Sequence, residues 1–350
     1  MDGKPGLNTK ARDISFSHSN LQEPAMKSAI YSEFGTPEKV LLAEDTGRPQ
    51  PGPGQVLVRM VLSPVHNHDL MTIAGQYGFK PSLPAVPGTE AVGVVEALGE
   101  GVTHLKVGQR VAGGAEKTWA DYYVAAAARL VPVPESVSDE TACQLVSMPL
   151  STKMLLDTLD VKAGDWIAIN AANGAVGKLL AQYGAEKGVK VLGLVRRDAA
   201  VTELAALGFK TVVATEGEGW QGKVHAITGD APIIRGIESL GGDGAAQLST
   251  ILADGAQLVS FGAMTGRPLK ISAGELLFRN ITVKGFWGAK PPVKPERIGE
   301  LLGELVRDAA AGKLVLDIEA DYPISDVAEA VRASGEPGRK GKIAIRGSAA

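Results

Sequence analysis

From Lys27 to Val133, apolar and polar residues alternate in short runs broken by glycine and proline. "MKSAIYSEFG" and "GQVLVRMVL" read as strands, and "AVGVVEALGEGVTHLKVGQRVAG" as two or three more with tight turns. From about Asp139 the period lengthens. "SDETACQLVSMPLSTKMLLDTLDV" carries apolar residues at helical spacing, with Ser138 or Asp139 placed to cap it. Strands and helices then alternate: "WIAIN", a helix from about Ala175, "VKVLGLV", a helix near "DAAVTELAALG", "TVVAT", and later "AQLVSFG" and "ITVKGFW". That order predicts a parallel sheet with helices on both faces. After Trp287, "PERIGELLGELVRDAAAGKL" predicts an amphipathic helix and "KIAIRG" a closing strand. The fold class is therefore α/β. A β-rich part spans 26–149, an inserted doubly wound nucleotide domain 150–288, and a segment returning to the first part 289–350. Residues 1–25 are polar, rich in Ser and Asn, and show neither period; they are expected to be a disordered leader, with Met26 a candidate native start.

A length of 350 residues agrees with more than one core. A formal charge of −3 leaves no broad basic field for nucleic acid or anionic lipid, and no apolar run reaches the roughly 18 residues of a membrane span. Cys143 is the sole cysteine, which excludes an intrachain disulfide and a thiolate cluster for a structural metal. A reducing cytoplasm fits that composition.

The most informative chemistry follows the strand Trp166–Asn170. The turn Ala172-Asn173-Gly174-Ala175-Val176-Gly177 is a dinucleotide fingerprint with Ala172 where the first glycine usually stands. Gly174 lets the backbone approach a pyrophosphate, which the following helix N-terminus favours, and Gly177 lets that helix pack close to the strand. The second strand, Val189–Val195, ends in Arg196 and Arg197, nineteen and twenty residues after Gly177. A carboxylate there would hold a ribose 2′-hydroxyl. Two guanidiniums instead attract a 2′-phosphate, so NADPH is the expected cofactor.

"GTEAVGVVEALGEGVTHLKVGQRVAG" resembles the signature of medium-chain dehydrogenases/reductases. "GQYGFKPSLPAVPGTEAVG", "MPLST", "GDWIAINAANGAVGK", "VRRD" and "VKGFWGAK" are similar to the trans-2-enoyl thioester reductases within that group. The resemblance runs from about Met26 to Arg346. It implies a GroES-like catalytic domain built from both chain ends, an inserted Rossmann domain, NADPH, and a homodimer pairing Rossmann edge strands. It also implies that Tyr77 assists protonation or polarises the thioester carbonyl, and that Thr152, Phe286 and Trp287 lie near the nicotinamide. Lys342 matches a lysine near the cofactor, and Gly262 and Met264 a backbone turn over it. The family's Asn-Pro-Ser-Asp is here His66-Asn67-His68-Asp69, which leaves the proton route open between Tyr77 and His66.

Zinc alcohol dehydrogenases of the superfamily use Cys, His and Cys at the catalytic metal. Those positions resemble His66, Thr89 and the neighbourhood of Ser147 or Met148. His66, His68, Asp69 and Glu90 are still of ligand type, but a third ligand at a known site is missing, so no metal is expected. The functions that follow are reduction of an activated C=C bond, NADPH:quinone oxidoreduction, alcohol dehydrogenation, or NADPH binding without catalysis. The substrate is a small molecule in the first three.

Overall fold

The computed structural model describes residues 25–348. Apart from Ala25, the expected leader lies outside the described residues. Six parallel strands form one sheet in the order Val212–Ala214, Lys190–Val195, Trp166–Ile169, Ile233–Glu238, Gln257–Ser260, Thr282–Gly285. Numbered along the chain, that is 3-2-1-4-5-6, the order that opens a ligand crevice between the first and fourth strands. Both faces of its central strands are buried. Along the first strand Trp166 and Ala168 enter one core while Ile167 and Ile169 enter the other, as a central parallel strand requires.

A second sheet holds, edge to edge, Ile318–Pro323, Lys342–Arg346, Gln55–Pro64, Glu90–Leu98, Arg110–Gly114 and Leu130–Pro132, and Tyr122–Ala126 also pairs with Gln55–Pro64. The chain's last described strand thus lies antiparallel against Gln55–Pro64, with Ala344 opposite Pro64. That pairing sets Lys342 just beyond the strand end that leads to His66. The small helix Asn67–Ile73, which the period left unassigned, starts where the side chain of Asp69 accepts the His66 N–H at 3.1 Å.

The expected helix after Asp139 is two helices, Asp139–Ala142 and Ser147–Thr158. Ser138 caps the first by accepting the Thr141 N–H at 3.3 Å. The amphipathic helix Pro295–Ala310 packs on Ser147–Thr158 through Leu301, Leu305 and Ala309, spaced four apart. Lys153, Glu304 and Asp308 join the two helices by ion pairs of 3.1 and 3.3 Å. Helix Val327–Gly335 turns Val327, Ala330, Val331 and Ser334 onto the second sheet.

Candidate active site

The fingerprint turn leaves the first strand and opens helix Ala175–Glu186, with Gly174 at the N-cap and no side chain bonded there. The N-terminal N–H groups of that helix are therefore available to an anion. A Cβ on Gly177 would lie 2.3 Å from the Ala172 carbonyl oxygen, so only glycine fits. Ala172 replaces the usual first glycine because Gly193 on the second strand makes room: a Cβ there would come within 2.8 Å of the Ala172 methyl. Arg196 and Arg197 lie exposed at the end of the second strand, where Arg196 meets Glu216 at 3.6 Å. The nearby Asp198 faces Lys223 at 3.9 Å. A cleft of about 1310 Å³ is lined by Asn173, Gly174, Ala175, Met264 and Lys342 among others. A smaller cleft of about 520 Å³, lined by Met71, Gln76 and Thr265, shares Asn67, Leu70 and Met264 with it. Gly262 and Met264 belong to the turn after the fifth strand. Phe286 is buried and stacks on Phe261 at 5.7 Å.

Beside these clefts an aromatic row forms. His66 stacks on His68 at 4.8 Å between centroids, His68 lies 5.9 Å from Tyr77, and Tyr77 meets Trp287 edge-on at 5.9 Å. Trp287 Nε1–H donates to the Tyr77 phenol oxygen at 2.7 Å. His68 bonds Thr89 Oγ1 at 2.7 Å, and Thr89 donates to Asp69 at 2.9 Å. Thr152 is buried, and its hydroxyl donates to the Met148 carbonyl at 2.8 Å. Its helix touches the Trp287 loop, since a Cβ on Gly288 would fall 2.5 Å from Ser151 Oγ.

Behind the row is a buried polar triad. His66 Nε2 lies 2.8 Å from Glu90 Oε2, and Lys342 Nζ 3.1 Å from His66 Nδ1. With the ammonium donating, the ring accepts at Nδ1 and donates Nε2–H to Glu90. The other Glu90 oxygen accepts the N–H groups of Val146 and Ser147. Burial pushes the Glu90 carboxyl up to about 7, against the pull of the Ser147 and Val146 hydrogen bonds. Burial, then the Lys342 charge, holds His66 well below its ordinary value, and burial also lowers Lys342. Glu90 and His68 had entered only as metal candidates; nothing in their spacing connects them to a lysine more than 250 residues away.

The arrangement does not fit a zinc ion. Both ring nitrogens of His66 are engaged, Ser147 is hydrogen-bonded to Glu90, and the Lys342 ammonium supplies a cation there already. Among the described residues, no group of three or more His, Cys, Asp or Glu side chains is placed to hold a metal.

Comparison with known proteins follows the same lines. Residues 52–135 match the model of the alcohol dehydrogenase GroES-like domain, and 175–307 that of the zinc-binding dehydrogenases. The chain belongs to the medium-chain dehydrogenase/reductase superfamily and is an oxidoreductase of that class. It is 30% identical to the mitochondrial enoyl-[acyl-carrier-protein] reductase of Bos taurus over 339 residues, 94% of this chain and 91% of that protein. A quinone oxidoreductase of Pseudomonas syringae pv. Tomato superposes with a TM-score of 0.80 at 28% identity, covering 92% of this chain and 99% of the other. The Escherichia coli quinone oxidoreductase, solved with NADPH, shares the fold at 24% identity with a TM-score of 0.83, over 91% and 99% of the two chains.

Proposed function

We propose that the protein is an NADPH-dependent reductase of an activated C=C bond, in a 2-enoyl thioester or another α,β-unsaturated carbonyl. The observation that carries this reading is the Trp287–Tyr77 hydrogen bond. The indole donates to the phenol oxygen at 2.7 Å, and among the described residues the phenol proton has no acceptor of its own. A half-buried hydroxyl next to Gln76 of the smaller cleft is thus left as a donor toward a substrate.

The fingerprint turn with its helix N-terminus suits a pyrophosphate, and Arg196 with Arg197 suits a 2′-phosphate. Bound NADPH supplies the hydride that the β-carbon of the double bond receives. The π electrons move toward the carbonyl, placing negative charge on its oxygen and on the α-carbon. Tyr77 donates its hydrogen bond to that oxygen or its proton to the α-carbon, and regains a proton from solvent. His66 is the second candidate acid. Its buried ring and two engaged nitrogens favour Tyr77 over it, and suit His66 to holding His68 in the row.

The 28%-identical quinone oxidoreductase supports a second reading, reduction of a quinone with the same cofactor. NADPH oxidation with crotonyl-CoA, a quinone and a simple aldehyde separates these readings. Turnover of crotonyl-CoA well above the other two supports the first, and turnover of the quinone alone replaces it with the second.

A homodimer is also proposed. Strand Thr282–Gly285 is an exposed sheet edge, and next to it Leu277 and Phe278 are 73% and 87% exposed. Pairing with a second copy would cover both. No described helix is long and apolar enough to cross a membrane. The single buried cysteine suits a reducing compartment, the cytoplasm or, as for the mitochondrial relatives, an organelle.

A further inference from the structure

Two buried side chains outside the aromatic row sit on the two banks of the crevice. Asn170 directly follows the first strand and precedes the fingerprint turn, and Glu238 ends the fourth. They are 3% and 0% exposed. Asn170 Nδ2 donates to Glu238 Oε1 at 3.0 Å, and Asn170 Oδ1 accepts the Ser239 N–H at 2.8 Å. The same Glu238 Oε1 accepts the N–H groups of Leu240 and Gly241, each at 2.7 Å. Its Oε2 has no partner among the described residues.

The loop held in this way carries a second layer. The Ser239 carbonyl accepts the Met264 N–H at 3.1 Å, and the Leu240 carbonyl accepts the Thr265 N–H at 3.0 Å and its hydroxyl at 2.6 Å. The Glu238 carbonyl accepts the N–H groups of Phe261 and Gly262 at 2.8 and 3.2 Å. One amide and one carboxyl therefore tie the carboxyl ends of the first and fourth strands, and the backbone of the loop they hold reaches the end of the fifth. Burying an acid at a strand end is costly, and a lone buried oxygen adds to that cost. What offsets that cost is three N–H groups gathered on one side-chain oxygen, which fixes the loop more tightly than one bond could.

We infer that Asn170 and Glu238 form a clasp that sets the spacing between the turn Ala172–Gly177 and the turn Gly262–Thr265, and so sets the grip on the nicotinamide cofactor without touching it. The inference rests on the cofactor reading above. A cleft held at its binding width spares the cofactor the cost of ordering it, so loosening the clasp weakens binding more than the chemistry. Both are positioning residues.

The test is titration of the full chain with NADPH and NADH, followed by KM and kcat, for the parent, Glu238→Ala, Glu238→Gln and Asn170→Ala. In Glu238→Ala, Kd and KM for NADPH should rise about tenfold or more, with kcat at saturation within about twofold of the parent. Glu238→Gln keeps an oxygen that can accept all three N–H groups and should return Kd to within about threefold. A parental Kd in folded Glu238→Ala overturns the clasp, as does an equal loss in Glu238→Ala and Glu238→Gln. If Glu238→Ala does not fold, Asn170→Ala, which leaves the bonds to Leu240 and Gly241 in place, decides. A Kd raised about threefold or more supports the clasp, and a smaller change overturns it. A parent that binds neither nucleotide overturns the cofactor reading and the clasp together. A parent that binds and variants that bind equally well overturn the clasp alone.

Discussion

The Trp287 indole N–H donates to the Tyr77 phenol oxygen across 2.7 Å, joining two residues 210 apart in sequence. The bond fixes the ring and uses a lone pair while leaving the phenol proton available. Tyr77→Phe keeps the ring contacts with Trp287 and His68 but removes that donor. Loss of a general acid or an oxyanion donor typically costs roughly 100-fold or more, and water can replace part of it, so turnover of crotonyl-CoA should fall at least about tenfold. NADPH affinity should change little. Trp287→Phe should show a smaller fall. Steady-state kinetics of both variants measure this, and parental turnover in Tyr77→Phe would remove Tyr77 from the mechanism.

The second prediction concerns nucleotide choice. Arg196 and Arg197 are exposed, and the nearby acids Glu216 and Asp198 face Arg196 and Lys223. Replacing both arginines with glutamate turns two attractive groups repulsive. Each charge-assisted bond is worth roughly 1.5–3 kcal/mol, so NADPH affinity should drop tenfold or more while NADH affinity holds. Paired titrations with the two nucleotides read the ratio. Equal affinities in the parent would refute the phosphate role.

Zinc is the third. With His66 bonded on both ring nitrogens, purified protein should carry far less than one zinc per chain, and a chelator should leave turnover unchanged. Elemental analysis finding one tightly held zinc, with chelator-sensitive activity, would contradict the geometry.

The triad predicts a pH effect on stability. Burial raises the folded Glu90 carboxyl from 4.5 to about 7. Between those values the unfolded chain has released a proton that the folded chain still holds, so this group's contribution falls as pH rises from about 4.5 to about 7. Below the window it is fully present, and above it the loss is complete. Glu90→Gln does not titrate. The difference in melting temperature, parent minus variant, should decline across that window and flatten on either side. A difference independent of pH would show that Glu90 titrates near its ordinary value.

The parallel sheet was legible because its strands are short apolar runs between helices, and the fingerprint turn because three local features coincide around Gly174 and Gly177. The fourth strand, Ile233–Glu238, was not. Arg235, Gly236 and Glu238 break its apolar run, and the reason for an acid there is visible only once Asn170 lies beside it. Helix Asn67–Ile73 is too short to show a period. Tyr77 and Trp287 stood out only through family resemblance, since their contact depends on a loop and a strand end far apart in the chain. Lys342 looked like a cofactor residue, and the structure adds its bond to His66, which follows from the antiparallel pairing of the last described strand with Gln55–Pro64.

Ala172 and Gly193 share one small space, and this gives their replacement an order. Ala172→Gly empties the space and asks nothing of its neighbours. Gly193→Ala, made first, drives a methyl against both the Ala172 methyl and the Phe209 ring, each 2.8 Å away. Made second, it meets only the ring, whose far edge can yield. A chain carrying glycine at 172 and alanine at 193 can therefore be reached one substitution at a time from this one, but only by the route that changes the turn before the strand.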